Sequence, residues 1–148
     1  MDLKNAAVRI GIIGFGMLVA GLAYESAHRP ADPPELTSLQ RSVARDIAEK
    51  AVASMGSADR WSSITIDDAD LSAYHLTIHF AAAPKLSEVE NDTRALVSAV
   101  LLQLTFSGHH ASDEDTTITV RALQGDEPAV LGTASFVAAA DKVVFAAQ

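Results

Sequence analysis

The sequence predicts a two-layer α+β domain preceded by one membrane-spanning segment. Three observations predict it: an apolar run near the start, two segments whose apolar residues have helical spacing, and four segments of alternating apolar and polar residues. The chain has 148 residues, which suits one domain of ordinary size. We therefore expect a membrane segment, a spacer and a single folded domain, in that order.

The apolar run extends from Ala6 to Tyr24 and contains one charged residue, Arg9. As a helix it would span about 28 Å, close to the ~30 Å thickness of a bilayer core. Basic residues precede the apolar core and acidic residues follow it. The positive-inside rule then places residues 1–5 in the cytoplasm and the C-terminal domain outside, across the inner membrane of a cell.

The run also fits two other interpretations. Its basic start, apolar centre and the sequence GLA at 21–23 also suit a signal peptide that is cleaved after export. The stretch IGIIGFG looks like the strand and glycine turn of a dinucleotide-binding fold, with Gly14 and Gly16 in place. However, Val19 stands where the third glycine is needed, and prolines follow where a second strand should lie, so we treat this motif as coincidental.

Small residues of the run lie on one face of the predicted helix. Such a face lets helix backbones approach closely in lipid, where packing drives association. We therefore expect contact with a second copy or with a membrane partner through Ala7, Gly11, Gly14 and Gly21.

Residues 25–34 form a polar, proline-rich spacer, and residues 35–148 form the exported domain. The domain begins with a predicted helix over Glu35–Met55, because apolar residues recur there every four positions. Thr37 and Gln40 have the spacing of a capping box near its start.

Four later segments alternate as strands with one buried face do. Turns rich in polar residues join them in two pairs. These segments are Ser62–Asp67, Leu71–Phe80, Ile118–Ala122 and Ala129–Val137. The pattern also allows a short final strand over Lys142–Ala147, which the predicted four-stranded sheet leaves out.

The most apolar helical segment lies between the two strand pairs. It follows Pro84, has Ser87 and Glu90 as a capping box, and ends at Gly108, so we expect it to be the core helix. The order αββαββ fits a permuted ferredoxin-like sandwich. In that fold a four-stranded antiparallel sheet carries two helices on one face.

Composition and motifs argue against several classes of function. The net charge is −8 and there is no basic stripe, so binding to nucleic acid has no electrostatic basis. Without cysteines there are no disulfides, thiolate metal sites or cysteine nucleophiles. Neither G-x-S-x-G nor HExxH is present, and acids in turns lack the burial that tunes a catalytic pKa. We predict a protein that is not an enzyme and has no cofactor.

A metal site is not predicted either. Two of the histidines share a strand face, but they lie about 13 Å apart and cannot chelate one ion directly. The acidic turns around Asp67, Asp113 and Asp126 do not match the EF-hand loop. The candidate ligands, if distant residues converge, are His75, His79, His109 and His110.

The outer face of the sheet is polar but poor in charge. Because both predicted helices cover the other face, this surface should stay open. A threonine-rich face with free edges suits partner docking or strand addition. The predicted docking residues are His75, Thr77, His79, Thr117, Thr119 and Arg121.

Together these features predict a non-catalytic, single-pass membrane protein whose extracytoplasmic domain is an adaptor or accessory subunit of a membrane complex. In layout it resembles the small subunits of secretion and pilus assembly platforms, which have one membrane helix and a periplasmic ferredoxin-like domain. The likeness is one of architecture, and the long coiled-coil linker of that group is missing here. The alternative is a small secreted or periplasmic binding domain released by signal-peptide cleavage.

Overall fold

The computed structural model describes residues 34–125 and 129–148, with side chains from Leu36 onward. The predicted membrane segment over 6–24 lies outside these residues, and so do the proposed packing residues Ala7, Gly11, Gly14 and Gly21. Within the described part, no helix is both long and apolar enough to cross a bilayer.

The described chain forms an α+β domain with two helices and one five-stranded sheet. A short 3₁₀ turn, Ala138–Ala140, joins the last two strands. The helices are α1 (Pro34–Ser54) and α2 (Leu86–Phe106), and the strands are β1 (Trp61–Asp70), β2 (Ala73–Phe80), β3 (Thr117–Gln124), β4 (Val130–Val137) and β5 (Lys142–Ala147).

The prediction of a four-stranded antiparallel sheet was wrong in two respects. The strands follow chain order, β1 to β5, so the segment Lys142–Ala147 adds a fifth strand at the edge. The central pair, β2 and β3, is parallel, whereas the other three pairs are antiparallel. The sheet is therefore mixed, unlike the permuted ferredoxin-like sheet that the element order suggested.

The parallel pair follows from the helix that connects its two strands. After β2 the chain returns along α2 before β3 begins, and such a crossover lets neighbouring strands run in the same direction. The two strands meet in a seam from Ala73↔Thr117 to Phe80↔Gln124. At the start of the seam the buried hydroxyl of Thr116 donates to the carbonyl of Leu71 at 2.9 Å.

The core lies between the two helices and one face of the sheet. Alternate residues of β2, β3 and β4 point to this face and are buried with the inner sides of both helices. The prediction that α2 is the core helix is confirmed, since α2 buries Val89, Asp92, Thr93, Leu96, Val97, Val100 and Leu104. In contrast, the first turns of α1 extend past the core, with Leu39 61% exposed.

Neither predicted capping box forms. Helix α1 begins at Pro34, which suits a first helical position because its missing N–H needs no partner there. Helix α2 is capped instead by Lys85, whose backbone N–H donates to the carboxylate of Glu88 at 2.8 Å. The predicted end of α2 is confirmed: Gly108 follows it with a φ of 79°, a left-handed conformation that glycine adopts at low cost.

A buried carboxylate fastens the start of β1 to helix α2. The side chain of Asp92 is 8% exposed and accepts two hydrogen bonds of 2.6 Å from Arg60, through Nε and Nη2. The indole N–H of Trp61 donates to the same carboxylate at 2.7 Å, and the Arg60 guanidinium lies 5.0 Å from the centre of the Trp61 ring. Hydrogen bonding to Asp92 raises the pKa of Arg60, so the guanidinium in this clamp stays charged.

Strand β5 packs against the sheet through one aromatic ring. A Cβ atom placed on Gly132 in β4 would lie 2.6 Å from Cζ of Phe145 and 3.2 Å from Cγ1 of Val89. The ring of Phe145 therefore occupies the space that a side chain at position 132 would need. The glycine is required here for close approach rather than for an unusual backbone conformation.

Candidate functional site on the open sheet face

The six residues predicted for partner docking lie together on the face of the sheet opposite the core. The seam register sets His75 beside Thr119 and Thr77 beside Arg121. No helix of the described chain packs on this side, where most side chains are exposed or half-buried. We call this surface the open face. Its central residues, all on β2 and β3, are His75, Thr77, His79, Thr117, Thr119 and Arg121.

An aspartate that sequence reasoning assigned to a turn lies at the centre of the open face. Asp67 belongs to β1, and the pairing of β1 with β2 shifts register between Ile66 and Asp68. Asp67 is the extra residue at this shift, and such bulges redirect a side chain. Simple alternation of apolar and polar residues cannot reveal a bulge, which is why this role of Asp67 could not be predicted from the sequence.

The Asp67 carboxylate gathers three hydrogen bonds from three strands. The hydroxyl of Thr77 donates to Oδ2 at 2.6 Å, and Nη2 of Arg121 donates to the same oxygen at 3.2 Å. The hydroxyl of Thr65 donates to Oδ1 at 3.1 Å. Thr77 is only 2% exposed, so this contact is shielded from water. The network holds β1, β2 and β3 together on the open side.

Competing effects set the pKa of Asp67. Partial burial raises the pKa, but hydrogen bonds from Thr77, Arg121 and Thr65, together with the positive charge of Arg121, lower it by more. The pKa therefore lies below its ordinary value of 3.8. The group remains ionised at neutral pH and neutralises the charge of Arg121.

Asp67 is expected to make the stability of the domain depend on pH. Because its pKa is lower in the folded than in the unfolded chain, its contribution is complete above the unfolded pKa and is lost as pH falls through the folded pKa. The difference in unfolding free energy between the native chain and an Asp67→Asn variant should therefore stay constant above about pH 5 and shrink as the pH falls below the ordinary value of 3.8. Urea denaturation across this range measures it, and a constant difference would contradict the assignment.

His79 is held at the edge of the same network. Its Nδ1 lies 3.0 Å from the carbonyl oxygen of Gly125, and its Nε2 lies 3.3 Å from the hydroxyl of Thr65. A carbonyl only accepts, so Nδ1 carries a proton. The single proton of the Thr65 hydroxyl can go to Asp67 or to His79, but not to both. The ring is thus fixed in place, with one nitrogen turned towards a shared hydroxyl.

The contacts of Asp67 differ from those of the acid in a catalytic triad. The Asp67 carboxylate contacts two threonines and an arginine, so it does not orient a histidine in the way that a catalytic triad requires. The hydroxyl nearest to His79 is 3.3 Å away and is engaged by Asp67. Thr65, His79 and Asp67 are therefore not linked as the nucleophile, base and orienting acid of a triad.

The candidate metal ligands are not gathered into one site. Among residues 34–125 and 129–148, no group of three or more His, Asp or Glu side chains is arranged to hold a metal ion. His109 and His110 lie in the loop after α2, where Nδ1 of His109 is 3.6 Å from a carboxylate oxygen of Glu114. His75 and His79 lie on the open face, and His79 is engaged by Thr65 and Gly125.

The described residues also form two surface hollows. One, of about 200 Å³, lies between the end of α1 and the start of β1, and its lining has no titratable side chain. The other, of about 440 Å³, lies beside the loop after α2 and includes His110 and Asp141. Both of these side chains are exposed to water, so this hollow lacks the desolvated polar groups that mark most ligand sites.

The open face is consequently a surface of ordered polar side chains. Its arrangement rests on the register of the mixed sheet and on the bulge at Asp67. A search of protein-family models, curated proteins and solved structures gave no match to this chain.

Proposed function

We propose that this chain is a non-catalytic, single-pass membrane protein whose α+β domain lies outside the cytoplasm and docks a partner protein through the open face. In this role it is an adaptor or accessory subunit of a membrane-associated complex. The observation that carries the proposal is the network around Asp67, which orders the open face before any partner binds.

An ordered face lowers the entropic cost of binding. Side chains that are already fixed by hydrogen bonds lose little freedom when a partner covers them. His79 and Arg121 are fixed in this way, and the ion pair of Asp67 with Arg121 leaves this centre with little net charge. Such a surface offers hydroxyl and imidazole groups for hydrogen bonds, which suits a polar protein surface better than a nucleic acid.

The membrane part of the proposal is supported by the sequence alone. The run Ala6–Tyr24 has the length and composition of a membrane helix, with basic residues on its N-terminal side. Its small-residue face suits contact with another membrane helix.

Docking through the open face can be tested by adding a bulky cation to it. Thr119→Arg, a change at the centre of the face, should abolish recovery of the partner when the full chain is purified in mild detergent. Ala95→Arg is the matched control, because Ala95 is exposed on α2 and away from the open face. Mass spectrometry of the copurifying proteins gives the result. Equal recovery with both variants would contradict docking through this face.

The second candidate is a secreted or periplasmic binding domain released by cleavage. The sequence GLA at 21–23 favours it, because small residues two apart suit signal peptidase. The intact mass of the purified protein separates the two candidates. A retained anchor gives the full-length mass in the membrane fraction, whereas cleavage gives a soluble chain that starts near Tyr24.

A further inference from the structure

The sheet has two outer strands, and they differ in how they are protected. Within the described residues, β1 and β5 each pair with a strand on one side only. The pairing of β1 is broken by two register shifts, and the strand carries Asp67, Asp68 and Asp70. Bulges and charges of this kind discourage the addition of another strand. The edge at β1 is therefore a poor template for another strand.

The edge at β5 has the opposite character. Its residues pair with β4 without a register shift from Lys142 to Ala147. The sequence KVVFAA has one charge, no glycine and no proline, and Val144 is 46% exposed. A regular, apolar outer strand is a template for pairing with another strand.

The backbone groups of three β5 residues point away from β4. The N–H of Gln148 donates to the carbonyl of Leu131, and hydrogen-bonded pairs alternate with non-hydrogen-bonded pairs along an antiparallel ladder. Because bonded and non-bonded pairs alternate back from this bond, the backbone N–H and C=O groups of Val143, Phe145 and Ala147 point away from β4. A side-chain contact agrees with this direction: Nη1 of Arg94 donates to the carbonyl of Val143 at 3.0 Å.

We propose that β5 pairs antiparallel with β5 of a second copy of this chain, about a two-fold axis at Val144. In this register the outward backbone N–H and C=O groups of Val143 form hydrogen bonds with those of Phe145 in the second copy. The two Val144 side chains lie opposite each other. The only charged residue of the strand, Lys142, faces Ala146 of the second copy, so no like charges meet. The strand is thus complementary to itself, and the two sheets join into one.

Arg94 sets the strength of this pairing. Its guanidinium donates to the carbonyl of Val143, which is the acceptor that an N–H of the second copy would use in this pairing. Its Nε donates to Glu90 at 2.9 Å. Arg94 is 41% exposed, so it can swing into water when the second strand arrives. The proposal stands apart from membrane anchoring and from docking on the open face, because it uses only the outer edge of β5.

Cysteine crosslinking tests the proposal cleanly, because the chain has no cysteine of its own. On the two-fold axis, the Cβ atoms of residue 144 in the two copies should lie about 4.5–5.5 Å apart, within reach of a disulfide. The full chain with Val144→Cys, oxidised mildly in detergent, should give a disulfide-linked dimer. The control is Ala146→Cys, which is exposed on the same side of the same strand but lies off the axis.

The expected result is crosslinking of the Val144→Cys chain at least tenfold faster than that of the Ala146→Cys chain. Adding Arg94→Ala to the Val144→Cys chain should speed crosslinking roughly fivefold, since the carbonyl of Val143 is then free. Equal rates for the two cysteine variants would indicate random collision and would overturn the proposal. A Val144→Cys chain that stays monomeric, with circular dichroism showing an intact fold, would overturn it as well.

Discussion

Replacing Asp92 with alanine is expected to lower the free energy of unfolding of the domain by about 2–4 kcal/mol. The change removes three hydrogen bonds at once and leaves the indole N–H of Trp61 and the guanidinium of Arg60 without their acceptor. Arg60 is 45% exposed and recovers part of its solvation in water, which keeps the loss below that of a fully buried pair. The start of β1 then loses its attachment to α2.

Urea denaturation followed by fluorescence measures this effect, because Trp61 is the only tryptophan of the chain. The matched control is Glu90→Ala, two residues earlier on the same helix. Glu90 forms an exposed pair with Arg94, in which both side chains are 41% exposed, and its loss should cost less than about 0.5 kcal/mol. A similar change for both variants would show that the clamp at Asp92 contributes no more than a surface ion pair.

Replacing Gly132 with alanine is the change with the next largest expected effect, a loss of about 1–2 kcal/mol of unfolding free energy. The added methyl group would overlap the Phe145 ring, so the ring must move out of its place. The same measurement, urea denaturation, gives the size of the loss. Hydrogen exchange should show that the substitution speeds exchange in β5 more than in β2, because the displaced ring belongs to β5.

A double-mutant cycle tests the cause of that loss. In a chain that already carries Phe145→Ala, the space above Gly132 is empty, and Gly132→Ala should then have almost no further effect. The coupling between the two changes should equal the cost of the single glycine substitution, about 1–2 kcal/mol. If the costs simply add, the overlap between the methyl group and the ring is not the reason for the loss.

Periodicity alone predicts most of the elements of this domain. The apolar spacing of α2 is regular over its whole length, so its buried face and its end at Gly108 follow from the pattern. The alternation in β2, β3 and β4 likewise assigns each residue to the core or to the open face. The six residues predicted for docking could therefore be assigned to one face of the sheet without knowledge of the strand order, while their role in docking stays a prediction.

The direction of strand pairing and the residues that depart from the periodic pattern could not be predicted from the sequence. Whether β2 and β3 run parallel depends on where the crossover helix returns the chain, and the hydrophobic pattern is the same for either direction. Asp67 lies at a bulge, which local alternation does not encode. Asp92 is a charged residue on the apolar face of α2, and only its contacts with Arg60 and Trp61 explain why it is buried.

The parallel seam between β2 and β3 has a consequence for the order in which the domain folds. The hydrogen bond from Thr116 to Leu71 joins residues 45 positions apart, whereas the hairpins β1–β2 and β3–β4 close over short turns. Closing so long a loop costs more chain entropy, and contacts between distant residues slow folding. The two hairpins, β1–β2 and β3–β4, should thus form early. The slower step, which sets the rate of folding, is the one in which α2 brings β2 and β3 into register.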